Sequence, residues 1–228
     1  ANDLAPSRLG KVKYELDILV QQLANNRIGL IAFTNNAYVQ SPLTYDTESL
    51  QFLIQSLDTR MLPGQGTQIC SALELAYEKM HNSVDLNNSR IVVVVTDGEG
   101  PTDCSNEIVY NMLKEDFRVF FVGVGRQQGS TIPTPDGVLQ TERGETVITR
   151  LEEPALMKLA NEFKGDYFRI GTDAVETEEL IDAIRHAQTH RIDTRSVDVA
   201  NNKYYYFLGI ALLLLALDVL ITFRTFRV

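Results

Sequence analysis

Five consecutive aliphatic residues, 91–95, constrain the fold more than any other feature of this 228-residue chain. They run through Thr96 directly into an acidic loop that begins at Asp97. A strand that is apolar at every position is buried on both faces, which is typical of a central strand in a parallel sheet covered by helices. Ligands of such sheets bind just outside the carboxyl ends of the strands. The sequence therefore predicts that Asp97 lies at a binding crevice.

The remainder of residues 1–188 alternates amphipathic helices with short apolar strands. The predicted helices are 7–23, 46–57, 68–80, 105–114, 152–163 and 176–187, and the predicted strands are 27–33, 37–42, 91–96, 118–124 and 166–170. With 44% hydrophobic residues, the chain is long and apolar enough for one full-sized core. This alternation indicates an α/β domain with a doubly wound, mostly parallel sheet.

Two loops are predicted to reach the crevice. In the loop after residue 96, Gly98 and Gly100 permit a sharp turn, and Glu99 adds negative charge beside Asp97. In the other, Thr67 precedes a helix, and its hydroxyl could serve as a helix N-cap or as a ligand. A turn-forming role is the alternative for Asp97.

Several stretches resemble a known family. The strand IVVVVTDGEG, the loop LPGQGTQICSALELA and the strand RVFFVGVG resemble a von Willebrand factor type A domain. The segment SRLGKVKYELDILV, the insert IPTPDGVLQTERGETVITRLEE and the tail YYYFLGIALLLLALDVL extend this resemblance to the bacterial aerotolerance-type (Bat) membrane proteins. The resemblance covers nearly the whole chain, and it implies a Rossmann-like fold of the von Willebrand factor A type.

The resemblance implies a metal-ion-dependent adhesion site. Its ligands are an Asp-x-Ser-x-Ser loop, a Thr and an Asp, and Thr67 and Asp97 match the latter two. The family's first strand and its Asp-x-Ser-x-Ser loop are expected immediately before Ala1, because Asp3 and Ser7 do not have the required spacing. Binding of Mg²⁺, or of Mn²⁺ or Ca²⁺, is therefore expected to depend on that upstream segment.

The expected function is protein-protein interaction without catalysis. A site of hydroxyls and carboxylates leaves one cation position open, which an acidic side chain of a partner can fill. The resemblance implies other membrane proteins of the group as partners, a link to a MoxR-type AAA+ ATPase, and a role in stress tolerance. The alternative is a metal-dependent hydrolase using the same crevice, but such an enzyme needs a general base or nucleophile that the sequence does not reveal.

A C-terminal membrane helix is predicted over residues 204–223, between a linker at 189–203 and a short tail at 224–228. The span is apolar apart from Asp218 and Thr222, and about 20 residues at roughly 1.5 Å each match a bilayer core of about 30 Å. Asp218 is expected to contact another helix or to lie near the headgroups.

The flanks of this helix predict its orientation. Tyrosines 204–206 precede it, and Arg224 and Arg227 follow it. Basic residues favour the cytoplasmic side, so the domain is expected on the periplasmic side of the bacterial inner membrane. The Bat resemblance implies the same location.

The insert at 126–150 is longer than a connection in a parallel-sheet domain requires. Its β-forming residues and turn signals predict a hairpin, in which Val138, Leu139, Val147 and Ile148 pair across turns at residues 136–137 and 143–144. A tolerated surface loop is the alternative, and we interpret the insert as a partner-contact element.

The net charge, the two cysteines and the remaining candidate metal ligands limit the possible classes of function. The net charge is −9; residues 203–228 contribute +2, which leaves −11 for residues 1–202 and argues against a nucleic-acid partner. Cys70 and Cys104 could pair or form a redox couple, and the sequence leaves both open. Asp182, His186 and His190 share a helical face and could bind a metal, but a solvated face is the favoured interpretation because nothing in the sequence supplies a second shell of ligand contacts.

Overall fold

The computed structural model describes residues 1–64, 66–82, 89–134, 137–141, 143–171 and 175–194, together with 208, 209, 211, 214 and 215. The side chains of 175, 176 and 189–194 are outside that description. The chain divides into two compact units, Ala1–Thr189 and His190–Val228.

The first unit contains the α/β domain. Its helices are α1 (Arg8–Gln22), α2 (Thr47–Ser56), α3 (Ile69–His81), α4 (Asn106–Lys114), α5 (Glu153–Glu162) and the beginning of α6 (Val175–Thr194). Its strands are β1 (Ile28–Phe33), β2 (Ala37–Thr44), β3 (Arg90–Thr96), β4 (Phe117–Val124), β5 (Ser130–Thr131), β6 (Pro133–Thr134), β7 (Gly137–Val138), β8 (Ile148–Thr149) and β9 (Asp166–Ile170). Side-chain N-caps from Ser7, Asp46 and Ser105 begin α1, α2 and α4.

The main strands form two sheets. Strands β3, β4 and β9 are parallel and lie in that order, whereas β1 and β2 form an antiparallel pair. The predicted second strand ended at Pro42, but β2 continues to Thr44. Proline is tolerated there because β2 lies at the edge of its sheet.

Helices cover both faces of the parallel sheet. Phe117, Val119 and Phe121 of β4 pack against α3, α4 and α5, with Phe121 fully buried. The alternate residues Phe120 and Val122 pack on the other face, which α1 and α6 cover with Leu19, Leu180, Ile181 and Ile184. This alternation follows from the two-residue repeat of a strand. The predicted α/β fold with a covered parallel sheet is confirmed.

The insert forms short paired strands. β5 pairs with β8, β6 pairs with β7, and an isolated bridge joins Gln140 to Thr146. The amide of Val147 also donates to the carbonyl of Leu139 at 2.9 Å. The insert is therefore an ordered β-structure across its described residues.

The C-terminal predictions mostly concern residues outside the described part. The helix predicted to end at residue 187 continues to Thr194. Among the residues described, no helix is both long and apolar enough to cross a bilayer. Of the predicted span 204–223, only 208, 209, 211, 214 and 215 are described, and Asp218 and the tail 224–228 lie outside the described residues.

Candidate functional site

The loop after β3 places Asp97 at the carboxyl edge of the parallel sheet. Gly98 and Gly100 have φ values of 78° and 138°, which supply the sharp turn that the sequence predicts. The carbonyl of Asp97 accepts a hydrogen bond from the amide of Glu152 at 2.8 Å. The loop is thus held against the beginning of α5.

The loop carrying Thr67 lies directly against it. A Cβ at residue 100 would approach the carbonyl oxygen of Thr67 to 2.4 Å, so only glycine permits this contact. The N-cap of α3 is Gln68, without a side-chain capping bond, which excludes the cap alternative for Thr67. Thr67 itself is half-buried.

A disulfide joins the first turn of α3, directly after the Thr67 loop, to the loop after β3. Cys70 and Cys104 are bonded, with their Cα atoms 5.2 Å apart and a sequence separation of 34. The structure thus decides in favour of pairing, which the sequence had left open. We call the two disulfide-linked segments, 67–70 and 97–104, the rim.

The carboxylate of Asp97 is already engaged by protein donors. Its Oδ2 accepts from Nη1 of Arg8 at 3.1 Å, and its Oδ1 accepts from the amide of Glu99 at 3.3 Å, as in a turn-forming aspartate. Its side chain is 27% exposed. Burial raises the pKa of Asp97, with the charge of Glu99 acting in the same direction and that of Arg8 opposing it.

Arg8 is bound more tightly by Asp3. Nε and Nη2 of Arg8 donate to the two carboxylate oxygens of Asp3 at 2.8 and 2.9 Å, a bidentate pair whose side chains are 8% and 3% exposed. Burial opposes ionisation of Asp3, but hydrogen bonds from Arg8 and from the amide of Arg126 outweigh it, so the pKa of Asp3 is lowered. Asp3 therefore stays ionised despite its burial.

An open cleft of about 530 Å³ adjoins Asp97. Its walls come from the first turns of α1, the segment after α2, the rim and the insert; the residues contributed include Ser7, Arg8, Lys13, Asp58, Asp97 and Thr149. The cleft has both cationic and anionic side chains along its walls. The cleft can therefore pair with positively or negatively charged groups of a partner at this edge of the sheet.

The described residues do not form a metal site by themselves. Thr67 and Asp97 offer oxygen donors, the chemistry that Mg²⁺ prefers, but the guanidinium of Arg8 lies 3.1 Å from Asp97 Oδ2 and repels a second cation there. Within the described part of the chain, no group of three or more His, Cys, Asp or Glu side chains is arranged to hold a metal ion. The site thus contains the guanidinium of Arg8, which is a cation of the protein itself, and two candidate oxygen ligands, Thr67 and Asp97.

Comparisons with known proteins show which families this chain resembles. A model of the von Willebrand factor type A domain matches residues 1–99. The crystal structure of BatB from Bacteroides thetaiotaomicron is similar, with 28% identity, a TM-score of 0.76, and coverage of 82% of this chain and 91% of that one. The chain is therefore similar to von Willebrand factor type A proteins of the Bat type.

Two further solved structures are similar to this chain. An aerotolerance-related membrane protein from Bacteroides fragilis, crystallised with several residues mutated to serine, has 28% identity, a TM-score of 0.74, and coverage of 83% of this chain and 92% of that one. A von Willebrand factor type A protein from Catenulispora acidiphila has 13% identity, a TM-score of 0.52, and coverage of 79% and 38%, and it shows the fold alone. Comparison with curated protein sequences gives no significant match.

Sequence reasoning missed several residues of this site. Arg8 and Thr149 contact the rim and Asp3 holds Arg8, yet the three come from α1, the insert and the N-terminal segment. No local motif marks such a convergence; the available signals were an arginine at the start of a helix and an acidic residue five positions before it. The alternative set on α6 remains a prediction, because the side chain of His190 is outside the described residues.

Proposed function

We propose that this Bat-type chain is a membrane-anchored protein-interaction module, without catalysis, whose contact surface is the rim. The supporting observation is that the disulfide between Cys70 and Cys104 fixes two loops side by side at the carboxyl edge of the parallel sheet. Open α/β sheets bind their ligands at this edge. A pre-fixed rim lowers the ordering cost of binding a partner.

The proposed partners are other membrane proteins of the same group, within a complex linked to a MoxR-type AAA+ ATPase and to stress tolerance. The similarity to BatB and to an aerotolerance-related membrane protein supports a membrane complex. The link to the ATPase rests on the family resemblance alone.

A divalent cation is the proposed bridge to an acidic partner side chain. Thr67 and Asp97 would supply two of its oxygen ligands, and the remaining donors would come from an Asp-x-Ser-x-Ser loop ahead of residue 1. Because Arg8 competes for Asp97, the chain of residues 1–228 alone is expected to bind Mg²⁺ weakly or not at all.

The domain is proposed to lie on the periplasmic side of the inner membrane. Both cysteines of the chain are in one disulfide, which persists in oxidising compartments and is rare in the cytosol. Arg224 and Arg227 after the predicted span favour the same orientation. Protease added to spheroplasts is expected to digest the domain, and full protection would reverse this orientation.

The insert is proposed to extend the contact surface. Val138 and Ile148 on its short strands are 40% and 54% exposed, and Leu139, directly after β7, is 40% exposed. Ordered hairpins on rigid scaffolds commonly carry recognition. Exposed apolar side chains on such a hairpin favour contact with a protein partner over contact with water.

The decisive experiment is co-purification from membranes. In a protein that includes the upstream loop, Asp97→Ala is expected to abolish calorimetric Mg²⁺ binding and cation-dependent recovery of partners. Glu78→Ala is the control, because this acidic side chain lies on α3 outside the rim, is 58% exposed and pairs with the neighbouring Lys79.

A second variant tests the insert. Replacing residues 127–145 with a short Gly-Ser linker is expected to leave the thermal midpoint nearly unchanged and to remove the partners. Unchanged recovery in both the Asp97→Ala and linker variants would reject the proposed contact surface.

A further inference from the structure

Arg8 uses its complete hydrogen-bonding capacity inside the protein. A guanidinium has five N–H donors, and all five have acceptors here. Besides the bonds to Asp3 and Asp97, Nη1 donates to Oγ1 of Thr149 at 2.8 Å and Nη2 donates to the carbonyl of Thr149 at 3.0 Å. The buried charge is thus fully satisfied, and a change at any acceptor leaves a buried donor unpaired.

Both ends of the insert meet this group. At its start, the amide of Arg126 donates to Oδ2 of Asp3 at 2.8 Å. Next to it, a Cβ at Gly125 would lie 2.9 Å from Nε of Arg8, so the backbone after β4 lies directly against the guanidinium. At its end, Thr149 binds Arg8 through both its hydroxyl and its carbonyl.

The contacts close into a ring that includes the rim. The hydroxyl of Thr149 donates to Oε2 of Glu99 at 2.7 Å, and the amide of Arg150 donates to Oε1 of Glu99 at 2.6 Å. The amide of Glu99 donates to Asp97, which accepts from Arg8. Insert, rim and the first turn of α1 therefore share one hydrogen-bonded circuit.

We propose that Arg8 is a positioning residue that couples the insert to the rim. A partner that displaces β8 at the base of the insert breaks the bonds of Thr149 and releases the carboxylate of Asp97, and a ligand that binds the carboxylate of Asp97 loosens the insert in return. This inference rests on the proposed function for its role in partner binding. Lysine cannot replace Arg8, because an ammonium is a point charge without the planar five-donor fork.

Amide hydrogen exchange of the partner-free protein tests the coupling. Thr149→Val removes the hydroxyl at the insert, and we expect exchange at the amides of Glu99 and Arg126 to rise about tenfold, which corresponds to losing bonds to a charged group. Thr149→Ser keeps the hydroxyl and is expected to retain wild-type rates. The amide of Phe121 in β4 reports global opening and is expected to stay unchanged in both variants.

Arg8→Lys provides the independent variant, since it keeps the charge and removes the fork. It is expected to raise exchange at the same two amides. If Thr149→Val accelerates only the neighbouring amide of Arg150 and leaves Glu99 and Arg126 unchanged, the coupling is wrong. If Arg8→Lys does not fold, the comparison of Thr149→Val with Thr149→Ser alone decides whether the insert and the rim are coupled. Because no partner is present, this result is independent of the co-purification that tests the proposed function.

Discussion

Strands β3 and β4 are neighbours in one parallel sheet, yet they bury their side chains to different extents. Every residue of β4 except Arg118 is buried. In β3 only Arg90, Val94 and Thr96 are buried, and its other four residues are half-buried. β4 pairs with β3 and β9, whereas β3 pairs with β4 alone among the described strands. Both strands are rich in apolar residues, so the difference in burial arises from the neighbours of each strand.

The comparison of β3 with β4 shows that composition alone does not decide how deeply a strand is buried. A run of five aliphatic residues is typical of a strand with a neighbour at each edge, and β4 has that environment. β1, with the sequence IGLIAF, resembles β3: it pairs only with β2 within the described structure and has no fully buried residue. Unpaired apolar edges stabilise a fold less than paired ones, so β4 is expected to contribute more stability than β3.

The largest expected effect tests the centre of β4. Phe121 is fully buried and packs on Phe163 with ring centroids 6.0 Å apart. We expect Phe121→Ala to lower the free energy of unfolding by about 3–5 kcal/mol, since it leaves a cavity. Urea denaturation measures the loss, and Phe52→Ala on α2 is the control, because that side chain is 74% exposed. Equal losses in the two variants would contradict the assigned core.

The second prediction concerns the disulfide that anchors the loop after β3. Because β3 is paired at one edge, this loop depends on its link to α3. We expect replacement of both Cys70 and Cys104 by serine to lower the free energy of unfolding by about 2–4 kcal/mol. Wild-type protein in reductant should match the double variant, and the double variant should not respond to reductant. A wild-type protein that is insensitive to reductant would refute the role of the disulfide.

The third prediction compares the strands directly. Val92 of β3 and Val119 of β4 are cross-strand partners, but Val119 is 1% exposed and Val92 is half-buried. We expect Val119→Ala to cost about 2 kcal/mol and Val92→Ala about half as much, in proportion to the apolar area lost. Measured costs that are equal would mean that β3 is as well packed as β4, and the comparison would fail.

The sequence predicted the helices and main strands well because their signals are local. The aliphatic run of β3, the alternating faces of the helices and the glycines of the rim each act within a few residues. The bonds of Arg8 to Asp3, Asp97 and Thr149 were not predictable, because three sequence-distant segments converge only after folding. Pairing of the cysteines was left open for the same reason, since their sequence separation is 34.

The smallest expected effect concerns two carboxyl groups at the ends of the compared strands. Asp97 follows β3 and has a raised pKa because of its burial. Asp3 accepts from the amide of Arg126, just beyond β4, and its pKa is lowered by that bond and by Arg8, despite burial. The two groups therefore contribute to stability with opposite dependence on pH.

The signs follow from where each proton is held. The folded protein keeps the proton of Asp97 to a higher pH than the unfolded chain does, so this group costs stability as pH rises through its raised pKa. Asp3 ionises more readily in the folded protein; the stability it contributes is present above the ordinary aspartate pKa and is lost as pH falls through its lowered value. From about pH 3 to about pH 7, urea midpoints should shift in favour of Asp97→Asn and against Asp3→Asn, each relative to wild type. Shifts of the same sign in both variants would show that the ends of β3 and β4 do not differ electrostatically.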